Sequence, residues 1–439
     1  MNVRILAWPS LSEAEKRRIL DRSERDIAEV APLASEIIER VRVERDAALV
    51  AYTRRFNGAD LNGVPLAVAG EEIDRAEASL APSLKDAIRF CIGNVRAYHA
   101  AQLPSAMSLK EISAGVYAGE RATAIQSVGL YAPRGKGSFP SSLYMMAVPA
   151  RVAGVPRVVV VSPPDESGRC DPATLFVARE CGVHEIYRIG GVQALAALAF
   201  GTESIRPVVK LLGPGNKYVT AAKRLLYGII DVGLPAGPSE SMIIADASAD
   251  PRLVSLDLLI EAEHGPDSQA LLVTPSANLA REVARQLPAL AAELPEPRAS
   301  YVEATFAAYS GVLTTRTIEE AAEVVNEVAP EHLQIATADA FETLSLIRNA
   351  GEILLGQNTP FSLANYAIGA NAVIPTGGKA KTCSPLSVRD FLKWSSVAYL
   401  SLHGYDSLRD SAIELADYEG FSAHAKALRE RRKNGQDPG

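Results

Sequence analysis

The first hundred residues show apolar positions at helical spacing. Over residues 12–56, and again over residues 71–101, the apolar side chains recur with the period of a helix among many charged ones. This period places them along one face of each helix. The sequence therefore predicts that amphipathic helices open the chain.

The pattern changes near Ser127 to short, β-branched apolar runs bounded by Gly and Pro, as in residues 128–131 and 157–162. Such runs are typical of strands buried in a parallel sheet. Helical patterns over residues 141–153 and 172–181 separate these runs and a further strand near Ile186. Strands that alternate with helices predict a βαβ array.

A second array follows the first. Its predicted strands cover residues 242–245, 270–273, 311–313 and 333–336, and its predicted helices cover residues 251–263 and 276–286. Two such arrays predict an α/β protein with two domains. Beyond residue 378 the pattern predicts helices over residues 387–396 and 406–431.

Composition excludes several classes of protein. The 439 residues are 48% hydrophobic and 22% charged, with a net charge of −7, so no overall field favours nucleic acid or an anionic membrane. The four cysteines form no CxxC spacing, and no long apolar run or signal core occurs. We expect a cytoplasmic protein with no nucleic-acid or membrane partner.

Two adjacent bases, Glu331 and His332, follow Pro330. A carboxylate can deprotonate a water, and an imidazole can take a proton from an alcohol near neutral pH. This pairing favours two proton-transfer roles. The alternative is structural: Pro330 opens a helix, Glu331 lies at its positive end, and His332 packs without a chemical role.

Glu261 and His264 are the metal-ligand candidates. They lie three residues apart near the end of a predicted helix, so both project from one face. The alternative for His264 is that it interacts with the negative end of the helix, because Gly265 and Pro266 follow. His424 is a further candidate donor, and its alternative is an exposed histidine on a C-terminal helix.

Three Gly-rich turns are candidate ligand sites. Residues 213–216 and 190–193 each lead into a predicted helix and could present backbone N–H groups to a phosphate. Neither turn contains a complete GxGxxG or GxxxxGK[ST] motif. The third turn, residues 235–240, places Ser239 and Glu240 just before a buried strand, a position expected to face a ligand crevice.

Taken together, these segments resemble the histidinol dehydrogenase family. The resemblance runs through nearly the whole chain, and its blocks occur in the order of the family: residues 129–133, 140–142, 190–193, 213–216, 236–240, 263–264, 329–333, 369–371, 375–376 and 419–424. It implies a homodimer with shared active sites, whose subunits each have two Rossmann-like domains with parallel-sheet cores and small N- and C-terminal helical segments.

On this basis we expect a helical segment over residues 1–25 and a first, discontinuous α/β domain from 26–128 and 238–378. That domain would carry the metal and base residues. A second α/β domain, on the cofactor side, would cover residues 129–237. A helical segment over residues 379–439 would complete the site of the partner subunit.

The resemblance also implies roles for particular residues. Glu331 and His332 would be the two catalytic bases, and NAD and zinc the cofactors. The implied zinc ligands are Glu261, His264, Asn365 and His424. Tyr131, Gln193 and Asn216 would contact NAD, and the substrate would meet Ser239, His332, Asn365, Tyr366, Glu419 and His424.

Three positions depart from the family pattern. The family usually has glutamine at the position of Glu261 and aspartate at that of Asn365, so one ligand gains a negative charge and the other loses one. The formal charge of the ligand set is unchanged, which is expected of a site that still binds a divalent cation. Ala372 replaces a histidine that lies beside histidinol, which removes a hydrogen-bonding partner of the substrate.

These departures predict that the chain retains the chemistry of the family but acts on a different substrate. We expect a zinc-dependent, NAD-linked dehydrogenase that oxidises a small polar primary alcohol to the aldehyde and then to the carboxylate. Arg134 and Lys136 add positive charge beside the expected crevice and favour an anionic alcohol such as a sulfonated propanediol, unless they lie in a solvated loop. The alternatives are histidinol dehydrogenase of histidine biosynthesis and a non-catalytic homologue that binds metal or nucleotide.

Overall fold

The computed structural model describes residues 1–22, 24–134, 137–308 and 310–431. Its strands are β1 (Ile5–Ala7), β2 (Met107–Ser113), β3 (Val116–Ala124), β4 (Ser127–Tyr131), β5 (Arg157–Val161), β6 (Glu185–Tyr187), β7 (Lys210–Leu212), β8 (Glu240–Ala245), β9 (Gln269–Thr274), β10 (Gly311–Thr314), β11 (His332–Ala336), β12 (Glu352–Leu355) and β13 (Leu392–Leu400).

The α-helices are α1 (Glu13–Asp21), α2 (Glu24–Glu44), α3 (Asp46–Asn57), α4 (Gly70–Ser79), α5 (Pro82–Ala100), α6 (Pro140–Val152), α7 (Pro172–Glu180), α8 (Gly191–Phe200), α9 (Lys217–Leu226), α10 (Pro251–Ala262), α11 (Ala277–Ala292), α12 (Arg298–Ala308), α13 (Ile318–Val328), α14 (Ala340–Leu344), α15 (Phe361–Tyr366), α16 (Leu402–Tyr418) and α17 (Ser422–Glu430). The predicted opening helices and the strands of both arrays are confirmed.

A six-stranded parallel sheet has the order β1-β10-β9-β8-β11-β12. Successive residues of its central strands project to opposite faces, so Ile243 packs in a core with α10 and α11, whereas Met242 packs in another with α13. Both faces are therefore covered by helices, which explains why the strands are continuous apolar runs.

A second parallel sheet has the order β6-β5-β4-β7. Residues of α4, α5, α6 and α7 form a core with one face of it, and residues of α2, α3, α8 and α9 form a core with the other. The helices between residues 26 and 100 thus pack on this sheet. The assignment of residues 26–128 to the first α/β domain, together with residues 238–378, remains a prediction.

The described residues of 104–124 and 392–439 form one compact unit, and those of 1–103 and 125–391 form another. The former, smaller unit has an antiparallel sheet, with the order β13-β3-β2. The predicted helix over residues 387–396 is wrong, because a short 3-10 turn, Val388–Phe391, leads directly into β13. The C-terminal segment is therefore helical only from α16 onward, and residues 104–124 contribute two strands that the sequence did not predict.

Among the helices described, none combines the length and apolar content needed to cross a membrane.

The two parallel sheets of the larger unit present different edges to the candidate site. Glu331 and Glu240 lie at the amino ends of β11 and β8, whereas Tyr131 and Gly213 lie at the carboxyl ends of β4 and β7. Ser239 and Glu240 thus lie at an amino end, although ligands of open α/β sheets usually bind at carboxyl ends.

Candidate active site

One cavity of about 330 Å³ in the larger unit gathers most of the predicted site residues. Its wall combines the amino edge of the six-stranded sheet with the carboxyl edge of the four-stranded sheet. The lining includes Tyr131, Arg134, Phe139, Asn216, Ser239, Glu261, His264, Glu331, His332, Asn365, Tyr366 and Ala372.

Glu331 and His332 lie at the start of β11 rather than at the start of a helix. Ala329 ends the preceding helix α13 in a left-handed conformation, and the chain passes through Pro330 into the strand. The structural alternative of a helix opened by Pro330 is therefore wrong. Both side chains are almost fully buried, with 7% and 3% of their surface exposed, and both line the cavity.

Glu331 has one defined hydrogen bond and an unfavourable electrostatic environment. Its Oε2 accepts a hydrogen bond of 2.8 Å from the backbone N–H of Glu240. Burial raises the pKa of Glu331 well above its ordinary value; the nearby imidazole of His332 opposes this shift, whereas the carboxylates of Glu261 and Glu240 add to it. A carboxyl group with a raised pKa is suited to accept a proton and later return it.

His332 lies among carboxylates. Its Nδ1 is 2.8 Å from Oε2 of Glu352, and its Nε2 is 3.9 Å from Oε1 of Glu331. Burial alone would lower its pKa, but the charges of Glu261, Glu331 and Glu352 raise the pKa of His332 to about 10. The imidazole therefore binds a proton tightly unless positive charge offsets these carboxylates.

A buried ion pair holds the residue whose backbone N–H binds Glu331. Arg22 and Glu240 are both about 5% exposed, and the Arg22 Nε is 3.4 Å from Oε1 of Glu240. The same oxygen accepts a hydrogen bond from the backbone N–H of Gly377 at 2.7 Å. Burial raises the pKa of Glu240, although the Arg22 charge opposes this shift. Because the Glu240 backbone binds Glu331, this ion pair anchors the strand that orients the base.

Three of the four predicted metal ligands are in contact. Asn365 Nδ2 donates a hydrogen bond of 2.7 Å to Oε1 of Glu261, and His264 Nδ1 is 3.3 Å from Oε2 of the same carboxylate. Burial raises the pKa of Glu261, but the imidazoles of His264 and His332 and the bonds from Asn365 and Ser239 together lower it. Glu261 is therefore an anion even though it is 1% exposed.

These donors fit a divalent cation in their chemistry. Because Asn365 Nδ2 is bound to Glu261, its Oδ1 is the atom left to serve as a ligand. His264 Nδ1 also lies 3.0 Å from the carbonyl oxygen of Ile260, the helix-end contact that the alternative predicted, so Nε2 is left as a lone-pair donor. Within the described ranges, no three His, Cys, Asp or Glu residues form a metal-binding group, since one donor of this set is an amide.

The residues predicted to contact NAD lie at the carboxyl edge of the four-stranded sheet. Tyr131 accepts a hydrogen bond of 3.3 Å from the N–H of Gly191 at the start of α8, and Asn216 caps α9. Both line the cavity, whereas Gln193 does not. The Gln193 side chain is 1% exposed, and neither amide atom has a hydrogen-bond partner among the described residues. A buried amide without a partner in the first turn of α8 fits a site for a polar, anionic ligand.

The predicted substrate residues divide between the two units. Ser239 and Tyr366 line the cavity of the larger unit, and Tyr366 is 53% exposed. Glu419 follows α16, and His424 lies on α17 in the smaller unit, where both are exposed. The Phe421 and His424 rings are 5.3 Å apart.

The positive charge expected beside the cavity is partly neutralised. Arg134 lines the cavity, but its Nη1 donates a hydrogen bond of 2.9 Å to the carbonyl oxygen of Arg169, and its Nη2 is 3.7 Å from Oδ2 of Asp165. These contacts direct the guanidinium toward its own loop, as the solvated-loop alternative expects. Lys136 lies outside the described residues.

Sequence reasoning missed Glu352 and Arg22. Glu352 begins the short apolar strand β12 after Gly351, and an acidic residue leading a buried strand is the signal that could have identified it. Arg22 had no comparable signal, because its partner, Glu240, is more than two hundred residues away in the sequence. Ala372 lies at the cavity wall, as its proposed effect on the substrate requires.

In protein freed of divalent cations, we expect His332 to titrate far above the ordinary 6.5 of histidine, near pH 10. Because its folded pKa exceeds its unfolded pKa, its contribution to stability is fully present below about pH 6.5 and is lost as the pH rises toward 10. Titration of ¹⁵N-histidine by NMR measures this directly. Glu261→Gln should lower the midpoint, and a wild-type midpoint at or below 6.5 would contradict the assignment.

Comparison with known proteins agrees with this geometry. The histidinol dehydrogenase family matches residues 20–432. The chain is 49% identical to a histidinol dehydrogenase of Synechocystis sp. over 98% of this chain and 99% of that protein, and 47% identical to a histidinol dehydrogenase homolog of Cereibacter sphaeroides over 98% and 97%. A crystal structure of histidinol dehydrogenase from Elizabethkingia anophelis is 32% identical, with a TM-score of 0.90 over 99% of this chain and 98% of that one. The chain belongs to the histidinol dehydrogenase family.

Proposed function

We propose that this protein is a zinc-dependent, NAD-linked dehydrogenase that oxidises a small polar primary alcohol to the aldehyde and then to the carboxylate. One observation carries the proposal: a single cavity places the Glu331 and His332 bases beside the Glu261, His264 and Asn365 donors. The Glu331 and His332 bases without these donors would be equally consistent with a hydrolase. The Gln193 amide in the first turn of α8, which has no partner among the described residues, supports a dinucleotide as the second reactant.

In the first oxidation, the Nε2 of His332 takes the hydroxyl proton while the carbon-bound hydrogen leaves as hydride to NAD. The C–O single bond becomes a carbonyl, and one NADH and one aldehyde form. Tyr131 and Asn216 line the wall along which the nicotinamide would lie. Burial of both bases keeps water from competing for the transferred proton.

In the second oxidation, Glu331 takes one proton from a water molecule while the water oxygen adds to the aldehyde carbon, which gives the singly deprotonated hydrate. The hydrate carbon transfers its hydride to a second NAD, and the carboxylic acid that forms releases its remaining proton to solvent as the carboxylate. The raised pKa of Glu331 suits this role, because the carboxyl group can then return the proton after accepting it.

Zinc would be held by Glu261, His264 and Asn365, with His424 of the partner subunit as the fourth ligand. When bound, it supplies positive charge that polarises the alcohol oxygen and lowers the pKa of His332 toward neutrality. His332 needs that shift, since an imidazole with a pKa of about 10 is protonated at neutral pH and cannot act as a base.

Histidinol is the first candidate substrate, because the relatives named histidinol dehydrogenase at 49% and 32% identity support it better than any other alcohol. A different polar alcohol is the second candidate. It is favoured by Ala372 at the cavity wall and by the exchanged identities of Glu261 and Asn365. The contacts of Arg134 with Asp165 and Arg169 weaken the case for an anionic, sulfonated substrate.

We also propose that the protein is a homodimer in which Glu419 and His424 complete the site of a second copy. Large apolar side chains flank these two residues: Leu415, Tyr418 and Phe421 are 63%, 91% and 55% exposed. Apolar side chains clustered at this density are typical of a surface that another subunit covers.

The substrate assignment is tested with purified protein, zinc and NAD, by following NADH absorbance with histidinol and with a panel of polar alcohols that includes sulfonated propanediol. We expect NADH with histidinol and its loss on chelation, and rescue of a histidine auxotroph lacking histidinol dehydrogenase. NADH with another alcohol and none with histidinol would favour the second candidate. No NADH from any alcohol, despite bound zinc and NAD, would favour the non-catalytic homologue.

Glu331→Gln should stall the reaction at the aldehyde, because the amide cannot deprotonate water. The variant should yield about one NADH per alcohol, and wild type about two, in a reaction run to completion with limiting alcohol. Glu327→Gln is the matched control, since Glu327 is exposed near the end of the preceding helix. Equal stoichiometry in Glu331→Gln and wild type would rule out this role of Glu331.

The contact between Glu261 and Asn365 predicts that their charges can be exchanged. Glu261→Gln removes the negative charge of the ligand set and should weaken zinc binding by about tenfold or more. Adding Asn365→Asp restores a carboxylate hydrogen-bonded to an amide and should recover most of that loss. Zinc affinity is measured by competition with a chelating dye, and Glu263→Gln, two residues from Glu261, is the control. A double variant as weak as the single one would contradict this pairing.

A further inference from the structure

Strand pairing places His332 between two polar side chains. On β11 it pairs in register with Glu352 of β12 on one side and with Ser241 of β8 on the other. Residues in register on neighbouring strands project to the same face of a sheet. The backbone therefore presents a carboxyl group to one edge of the imidazole and a hydroxyl group to the other.

Of these two neighbours, Glu352 is the one bonded to the ring. Its Oε2 lies 2.8 Å from Nδ1 of His332, whereas the buried Oγ of Ser241 has no hydrogen-bond partner among the described residues. A carboxylate only accepts hydrogen bonds, so Nδ1 carries the proton. The other oxygen of Glu352, Oε1, also has no partner within the described residues, so its one side-chain hydrogen bond there is to His332.

This bond determines which nitrogen faces the chemistry. With Nδ1 protonated and turned to Glu352, the neutral ring has its lone pair on Nε2, the nitrogen that lies 3.9 Å from Glu331 Oε1. The edge-on contact with the Phe361 ring, at 5.9 Å between centroids, restricts rotation of the imidazole. Orientation and tautomer are thus both fixed.

We propose that Glu352 is a positioning residue for His332: it holds the imidazole as the Nδ1-protonated tautomer, so that Nε2 can accept the hydroxyl proton. The inference rests on the proposed function, because it assigns His332 the first proton transfer. When Nε2 gains that proton, the ring becomes a cation, and its bond to Glu352 becomes a charge-assisted one. Glu352 itself does not touch the substrate.

A purely structural role accounts poorly for this carboxylate. Glu352 is 7% exposed and has one side-chain hydrogen bond within the described residues for two oxygens. Burying a charge with so few partners costs desolvation free energy. An apolar residue at the same strand position would not have this cost. Its place beside the base, rather than any benefit to packing, explains why an acid occupies this strand position.

The test compares Glu352→Gln and Glu352→Ala with the matched control Ser241→Ala, which alters the opposite in-register neighbour. For both Glu352 variants we expect kcat for alcohol oxidation to fall at least about 100-fold, with KM for alcohol and NAD within about threefold of wild type. Ser241→Ala should stay within about threefold in kcat. A Glu352→Gln variant with wild-type kcat would overturn the proposal.

A double-mutant cycle separates positioning from a structural effect. If Glu352 acts through His332, Glu352→Gln should lower the residual kcat of His332→Asn by less than about twofold. A further loss as large as that seen in the wild-type background would overturn the proposal. A general loss of folding would appear in both backgrounds and in the unfolding temperature.

A spectroscopic measurement keeps this inference separate from the proposed function. In zinc-loaded, ¹⁵N-histidine-labelled wild-type protein, where the proposed function expects a neutral His332, a hydrogen-bonded Nδ1–H signal and an unprotonated Nε2 should be present. The Nδ1–H signal should be lost in Glu352→Ala and retained in Ser241→Ala. Its absence from wild type would overturn the positioning role whatever the activity. If the signal is present but no alcohol yields NADH, the proposed function fails while the tautomer assignment stands.

Discussion

The site depends on the burial of several negative charges around one imidazole. Carboxylates at this density are costly in a protein interior unless positive charge is near. In the described part of the chain, that charge comes from the imidazoles of His332 and His264 and, behind the site, from Arg22. The carboxylates raise the pKa of His332, and burial, with the neighbouring carboxylates, raises the pKa of Glu331. The carboxylates involved are Glu240, Glu261, Glu331 and Glu352.

The same carboxylates are the reason why a cation is part of the proposed function. A protonated His332 is stable beside them but cannot act as a base, so a positive ion beside Glu261 would make the site reactive. On this proposal, proton affinity and metal affinity have one electrostatic origin. Removing any one carboxylate would then change both properties, and double-mutant cycles separate its roles.

The two sheets contribute different chemistry to the one cavity. The four-stranded sheet presents carboxyl ends and helix N-termini, where backbone N–H groups favour anions. The six-stranded sheet presents amino ends of its strands, where Glu240 and His332 begin β8 and β11 and the C-terminal end of α10 brings Glu261 close. The residues proposed to hold the nucleotide and those proposed to hold the metal thus lie at different sheet edges of the larger unit.

The exchange between Glu261 and Asn365 has a local physical reason. The two side chains are hydrogen-bonded at 2.7 Å, so a carboxylate and an amide can trade places without changing the charge or the bond. What does change is the position of the negative charge within the cavity. On the proposed function, the exchange would preserve affinity for a cation and, together with Ala372 on the cavity wall, would alter what the substrate contacts.

The sequence by itself determined the parts that depend on local spacing. Apolar periodicity identified the α/β arrays, and adjacency or helical spacing joined Glu331 to His332 and Glu261 to His264. Only the tertiary structure decided the contacts between distant segments, such as Glu352 with His332. The sequence predicts a helix at the start of strand β13, where the structure has a strand. The partner strand β3 lies some 270 positions earlier in the sequence, and an exposed strand lacks the alternation of apolar and polar residues by which strands are predicted. Pairing between segments that are far apart in the sequence produces no periodic pattern, so only the tertiary structure could determine these contacts.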